Sequence, residues 1–179
     1  YLCSLFFKQR SVGVSLLDHS TGKFISNEID LIELNNFFSY YEISEILILD
    51  SQKDLLDQFS NISDLLYTTL PNWLGDSKYA NEILCDHFSV TTLKGFGFNN
   101  LELAIISSGF TLHYVKENYY GRIKHITSLK LFENSGIMRL DNDTIRNLEL
   151  FTRFQETNKK WTLLSTIDNT ITSSGSRLL

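Results

Sequence analysis

The spacing of hydrophobic residues changes along the chain, and each change predicts an element. YLCSLFF (Tyr1–Phe7) is apolar on both faces, as a strand inside a sheet must be. SVGVSLLD (Ser11–Asp18) alternates Val12, Val14 and Leu16 with small or polar residues. The polar residues Lys8, Gln9 and Arg10 form a short turn between these strands. Asp18–Gly22 predicts a second turn and Lys23–Glu28 a third strand. Strands joined so closely pair antiparallel. The period then becomes helical, with Leu31, Leu34, Phe37, Phe38 and Tyr41 on one face. Asp30 and Glu33 have the spacing of a capping box at its start.

Glu45–Asp50 (EILILD) reads as a short buried strand. Following a crossover helix, it should join the sheet in parallel. Another helix is expected from about Ser51. Around Pro71, the sole proline, with Trp73 and Gly75, the pattern predicts a loop, preceded by a short strand near Leu65–Thr69. Asp76 should cap a helix reaching about Phe88. Lys94–Phe98 is a glycine-bearing turn before a long helix, about Asn100–Asn118. Gly109 lies inside that helix, where glycine costs about 1 kcal/mol relative to alanine, which predicts a neighbour packed closely against it. Ile126–Phe132 reads as extended, and Glu133–Gly136 as a turn and the domain boundary. Beyond it the pattern is helical, interrupted at Thr157–Lys160.

The order of elements predicts an α/β fold, a ribonuclease-H-like mixed sheet with flanking helices, followed by an all-α fragment. Its expected divisions are a domain over 1–128, a linker over 129–137 and the start of a second domain over 138–179. The first residue lies inside a strand-like run and the last inside a helix-like run, so the chain is expected to be a piece of a larger one.

Composition narrows the function. With 42% hydrophobic and 13% aromatic residues, a packed core is available. Residues 1–128 carry nine Lys+Arg against fifteen Asp+Glu, a balance of −6, whereas 129–179 carry seven against six. The first segment is therefore poorly charged for wrapping nucleic acid. Cys3 and Cys85 have no metal-like spacing and apolar neighbours, which predicts buried thiols in a reducing compartment. No apolar run approaches the roughly 20 residues that span a bilayer, so no membrane partner is expected.

Reactive chemistry finds little support. A nuclease on this fold needs clustered carboxylates holding two metals about 4 Å apart. Tyr1–Phe7 carries none. Asp18 and Asp50 each end a strand, where a turn or helix start already explains them. His19, His87, His113 and His125 lack metal spacing, and no serine stands in a Gly-x-Ser-x-Gly context. Gly95-Phe96-Gly97 begins a dinucleotide fingerprint, but Asn100 replaces its third glycine and no Gly-Lys-Ser/Thr follows. Around Tyr40 and Tyr41 the neighbours are acidic, which disfavours stacking on single-stranded bases. No catalytic, cofactor-binding or metal-binding residue is assigned.

The stretch from Met138 to Phe151 carries more. Asp141 is a plausible N-cap, Asp143 adds charge to the first turn, and Ile145, Leu148 and Phe151 mark an apolar stripe. Arg146 and Glu149 have the spacing of a surface pair. Leu140-Asp141-x-x-Thr144-x-Arg146-Asn147-Leu148-Glu149-Leu150 resembles the entry to the core domain of the bacterial MutS DNA mismatch-repair family. Thr162-Leu163-Leu164, followed by Asp168, Thr170, Thr172, Gly175, Arg177, Leu178 and Leu179, resembles the next block of that domain. Upstream, Gly95-Phe96-Gly97, Tyr114–Glu117 and His125-Ile126 are similar to the end of the family's connector domain. Gly13–Asp18 with Thr21-Gly22 is similar to its start.

The resemblance implies a ribonuclease-H-like connector without nuclease activity, joining mismatch recognition to the core, the clamp and the ATPase, and contacting MutL. It implies a full-length homodimer that binds mismatched duplex DNA and uses ATP and Mg, resident in the cytoplasm near the nucleoid. Within this chain it implies no cofactor and no enzyme activity, and an isolated monomer. Phe154-Gln155-Glu156 and Tyr40-Tyr41-Glu42 lack the glycine flanks of a mismatch-reading pair. Only structural motif residues carry over: Asp141, Thr144, Arg146, Asn147, Leu148, Glu149, Asp168, Gly175 and Arg177. The alternatives are a metal-dependent nuclease or resolvase on the same fold, and a recombination-type member of the family.

Overall fold

A computed structural model describes residues 1–59, 65–119, 123–132, 140, 142–151, 161–172 and 175–176. The chain divides into two compact units, Tyr1–Asn134 and Ser135–Leu179.

The first unit is built on a six-stranded mixed sheet. Its strands are β1 (Leu2–Lys8), β2 (Ser11–Asp18), β3 (Lys23–Asp30), β4 (Glu45–Leu49), β5 (Tyr67–Leu70) and β6 (Leu129–Leu131), in the order β5-β4-β1-β2-β3-β6. The first three form the expected antiparallel meander. Lys8 opposes Ser11 across a two-residue turn in which Gln9 adopts a left-handed φ of 57°. β4 joins β1 in parallel, as its position after a crossover helix requires, and β5 extends that edge. β6 pairs in parallel with β3 through three residues at the other edge.

Alternation along the strands sends two apolar sets to opposite faces. Cys3, Leu5, Val12, Val14, Ile46 and Ile48 pack with Leu34 and Phe37 of helix α1 (Leu34–Tyr40) and with Leu56 and Phe59. The other face lies under α2 (Ser77–Phe88) and α3 (Glu102–Asn118), where Leu17, Phe24, Leu47 and Leu49 meet Leu84, Ala104, Phe110 and Leu112. Asp76 caps α2 by accepting from the Lys78 backbone N–H at 2.8 Å. Gly109 fits because Ala80 of α2 lies against it: a Cβ there would come within 2.5 Å of the Ala80 Cβ.

The contact between α3 and the sheet is unusually polar. Register places Ser4, Ser15 and Ser26 side by side on β1, β2 and β3, all fully buried. Above them α3 presents Ala104, Ser107, Ser108 and Thr111. The Thr111 hydroxyl bonds both Ser4 and Ser15, and the Ser26 hydroxyl donates to the carbonyls of Val14 and Ala104. Each hydroxyl desolvated here is thereby compensated. Gly13 brings the chains closer still, since a side chain there would collide with the Leu103 carbonyl.

Several expectations are corrected. Asp30 does not close a capping box. Its backbone belongs to β3, opposite Ser11, and its side chain makes no cap bond, so a 3₁₀ turn (Leu31–Glu33) precedes α1. The helix expected from Ser51 is a 3₁₀ run, Asp50–Gln58, anchored by Gln52, whose side-chain amide bonds both the N–H and the carbonyl of Phe7. Cys3 is buried, but Cys85 is only half-buried on α2.

In the second unit the described residues include α4 (Asn142–Asn147) and α5 (Leu163–Ile167). The stripe to Phe151 is cut short, because α4 ends at Asn147 and Glu149 turns left-handed at φ 48°. Thr162 caps α5 in a reciprocal pair with Ser165. The expected boundary turn and Thr157–Lys160 lie outside the described residues. Among the described residues no helix is long and apolar enough to cross a membrane.

Candidate functional site

The carboxylates that a metal-dependent nuclease would use are held apart by the sheet. Asp18 ends β2 just beyond the Leu2–Leu17 pair, at the start of β1. Asp50 follows β4 just beyond the Leu5–Ile48 pair, toward the end of β1. The two therefore sit at opposite ends of the strands. Asp18 is occupied in its turn: it accepts from the hydroxyls of Ser20 (2.6 Å) and Thr21 (2.7 Å), which hold its carboxyl down at about 2. Asp50 lies 3.8 Å from Lys53 in an exposed pair. At the middle of β1 stands the uncharged, fully buried Ser4 within the serine row. Among the described residues, no three His, Cys, Asp or Glu side chains come together to hold a metal ion.

The histidines fill structural positions. His113, on α3, meets the Tyr79 hydroxyl at 2.7 Å through Nδ1 and Glu117 at 3.4 Å through Nε2. With Trp73, whose ring lies edge-on to both, these residues form an aromatic node. An open groove of about 1000 Å³ runs from this node between α2 and α3, past Glu82, Asp86 and Lys116. His87 donates from Nε2 to the Ile126 carbonyl at 2.8 Å. His125 likewise donates to the His19 carbonyl at 2.7 Å, and the ring of His19 stacks on Tyr119 with centroids 3.7 Å apart. Sequence reading missed this last assembly, because its parts lie 106 residues apart and none carries a motif.

The motif residues of the second unit are only partly placed. Asp141 and Arg177 lie outside the described residues. Thr144, Arg146 and Asn147 lie on α4, and Leu148 and Glu149 in the turn after it, with Leu148 56% exposed. Asp168 follows α5 and accepts from the backbone and hydroxyl of Thr170, which hold its carboxyl below the usual range. Gly175 donates its N–H to the Thr172 hydroxyl at 3.1 Å. These are turn-forming bonds within short segments.

Comparison with known proteins identifies the family. The family described as MutS domain II matches residues 1–127. Three relatives are each called DNA mismatch repair protein MutS. Those of Flavobacterium psychrophilum, Chlorobaculum parvum and Chlorobaculum tepidum are 36%, 34% and 35% identical to the whole of this chain. The chain spans about a fifth of their length: 20%, 21% and 21%. The mixed sheet, the match over most of that sheet domain and the identity across the full 179 residues together place this chain in the MutS family.

Proposed function

We propose that the chain is the connector module of a DNA mismatch-repair protein, with the beginning of its core domain attached. In this reading residues 1–128 are the connector, on a ribonuclease-H-like fold, 129–137 a linker whose first residues, Leu129–Leu131, complete the sheet, and 138–179 the truncated entry to an all-α core. The module is not an enzyme. It couples mismatch recognition to the core, the clamp and the ATPase, and contacts MutL. Its parent is a cytoplasmic, nucleoid-associated homodimer that binds mismatched duplex DNA with ATP and Mg, while the isolated chain is monomeric. The motif residues Asp141, Thr144, Arg146, Asn147, Leu148, Glu149, Asp168, Gly175 and Arg177 serve the build of the core rather than any reaction.

One observation carries the proposal. The centre of the sheet, where a nuclease of this layout would gather acids, holds three buried serines bonded to α3. Such an arrangement stiffens a module and binds no divalent ion, whose hard ligands are carboxylates and carbonyls. The acidic balance of residues 1–128 further argues against this unit as the DNA-gripping part.

The test is a set of titrations on the 179-residue chain. Anisotropy with matched and G·T-mismatched duplexes should show no mismatch preference, and ATP should not bind. Immobilised MutL should retain the chain and release it when a full-length relative competes. A nanomolar mismatch preference would overturn the reading. Specific amide shifts at Asp18 and Asp50 on adding magnesium or manganese would favour a nuclease instead.

A further inference from the structure

Residues 123–132 carry the chain from the end of α3 along the edge of the sheet, immediately before the second unit in sequence. Their strand pairing on that edge is short. β6 contributes only three residues to the ladder with β3. Ile123, Ile126, Leu129 and Phe132 are buried in the core, and Asn27 donates to the Phe132 carbonyl at 2.9 Å. Histidines supply further polar ties. His87 reaches up from α2 to the Ile126 carbonyl. His125 donates to the carbonyl of His19 in the β2–β3 turn, and Gly22 of the same turn lies so close that a side chain there would meet the His125 carbonyl at 2.5 Å.

The ring of His19 closes this contact. It stacks on Tyr119 at 3.7 Å and meets the His125 ring edge-on at 4.8 Å. Its Nε2 is buried and has no hydrogen-bond partner among the described residues. A neutral imidazole tolerates this, because one ring nitrogen can remain a bare acceptor at modest cost. An imidazolium carries N–H donors on both nitrogens, and both demand partners. Protonating the closed ring therefore leaves Nε2 as a buried charged donor beside a second histidine, so the ring must shift to reach water.

We propose that His19 is a proton-operated latch on residues 123–132: the neutral ring tightens the segment against the β2–β3 turn, and the protonated ring loosens it. The groups facing His19 set the balance. His125, from the held segment, repels a charge on His19. Tyr119, at the end of α3, supplies the stacking face. Asp18, on the latch's own turn, favours the charge but is engaged with Ser20 and Thr21. Tyr1, bonded to Lys23, and Glu45, bonded to Tyr114, line the adjoining pocket. Burial comes first among the causes that lower the pKa of His19, His125 adds to it, and Asp18 opposes it. The sign follows: the closed state takes up a proton less readily than the open one. Latching is complete above the ordinary histidine value of about 6.5 and weakens as pH falls through it.

Amide exchange on the 179-residue chain tests this. After correction for intrinsic rates, protection over 123–132 should fall about threefold or more between pH 7.5 and 5.5 relative to β1 and β2. H19F keeps an aromatic ring on Tyr119 and has no proton to gain. It should be at least as protected at pH 7.5, and its protection should not vary with pH. If H19F does not fold, the native chain decides: the His19 ring proton should titrate below the usual histidine value, with the 123–132 amides following the same curve. Protection independent of pH in the native chain, an unchanged pH response in H19F, or a His19 titration that the segment ignores would each overturn the latch.

Discussion

Gly109→Ala sets two known effects against each other. In a solvent-exposed helix the change should stabilise by about 1 kcal/mol, because alanine is the better helix former. Here the added Cβ would come within 2.5 Å of the Ala80 Cβ and 2.6 Å of the Ala80 Cα. The second atom is backbone, so relief requires α2 and α3 to part rather than a side chain to swing. Overpacking of this kind costs about 1–3 kcal/mol. With the obstacle at main chain, the upper part of that range applies, leaving a net loss of about 1–2 kcal/mol. The partner change A80G removes the obstructing methyl and alone costs about 1 kcal/mol in helix propensity. Combined, the two changes move one methyl across the interface. The double variant should return to within about 1 kcal/mol of the native chain, a coupling of about 2 kcal/mol. Urea unfolding followed by Trp73 fluorescence, in a W161F background, reads the first unit alone. Stabilisation by G109A, or a cycle that closes additively, would refute the close-packed interface.

Other predictions probe the serine row, the acid response and the thiols. T111V removes the hydroxyl that bonds both Ser4 and Ser15 and should cost about 1–3 kcal/mol in urea unfolding, while adding S4A should recover part of the loss because no donor is then stranded. Asp18 is held at about 2 by Ser20 and Thr21, so its contribution is intact above about 3.8 and disappears as pH falls toward about 2. Because the group is largely exposed, an acid titration of D18N against the native chain should separate them by less than about 1 kcal/mol at pH 7, and the difference should vanish near pH 2. Burial raises the thiol pKa of Cys3, which is fully enclosed, and also that of half-buried Cys85. An aromatic disulfide reagent should therefore modify Cys85 slowly in the native chain and Cys3 only after unfolding.

What the residues determine alone is whatever depends on near neighbours. The meander of β1 to β3 follows from alternation in Val12, Val14 and Leu16 and from two short turns. Asp76 announces α2 through its own cap, and a glycine inside a long apolar helix announces a close neighbour without naming it. The parallel placement of β4 follows from the crossover rule. The family too was legible, because its motifs are strings whose spacing survives without a structure. Failures arose where a distant contact outweighed local preference. Asp30 looks like a helix cap, yet ladder bonds to Ser11 keep it in β3. The 3₁₀ run after β4 depends on Gln52 reaching the backbone of Phe7, 45 residues away. Ser4, Ser15 and Ser26 are unremarkable one at a time; strand register alone aligns them under α3. His19 and His125 have no sequence relation. Local period encodes which face of an element is apolar, because neighbouring side chains share one backbone geometry. It does not encode which elements meet, because that is decided by burying those faces against one another, and only the tertiary structure records the outcome.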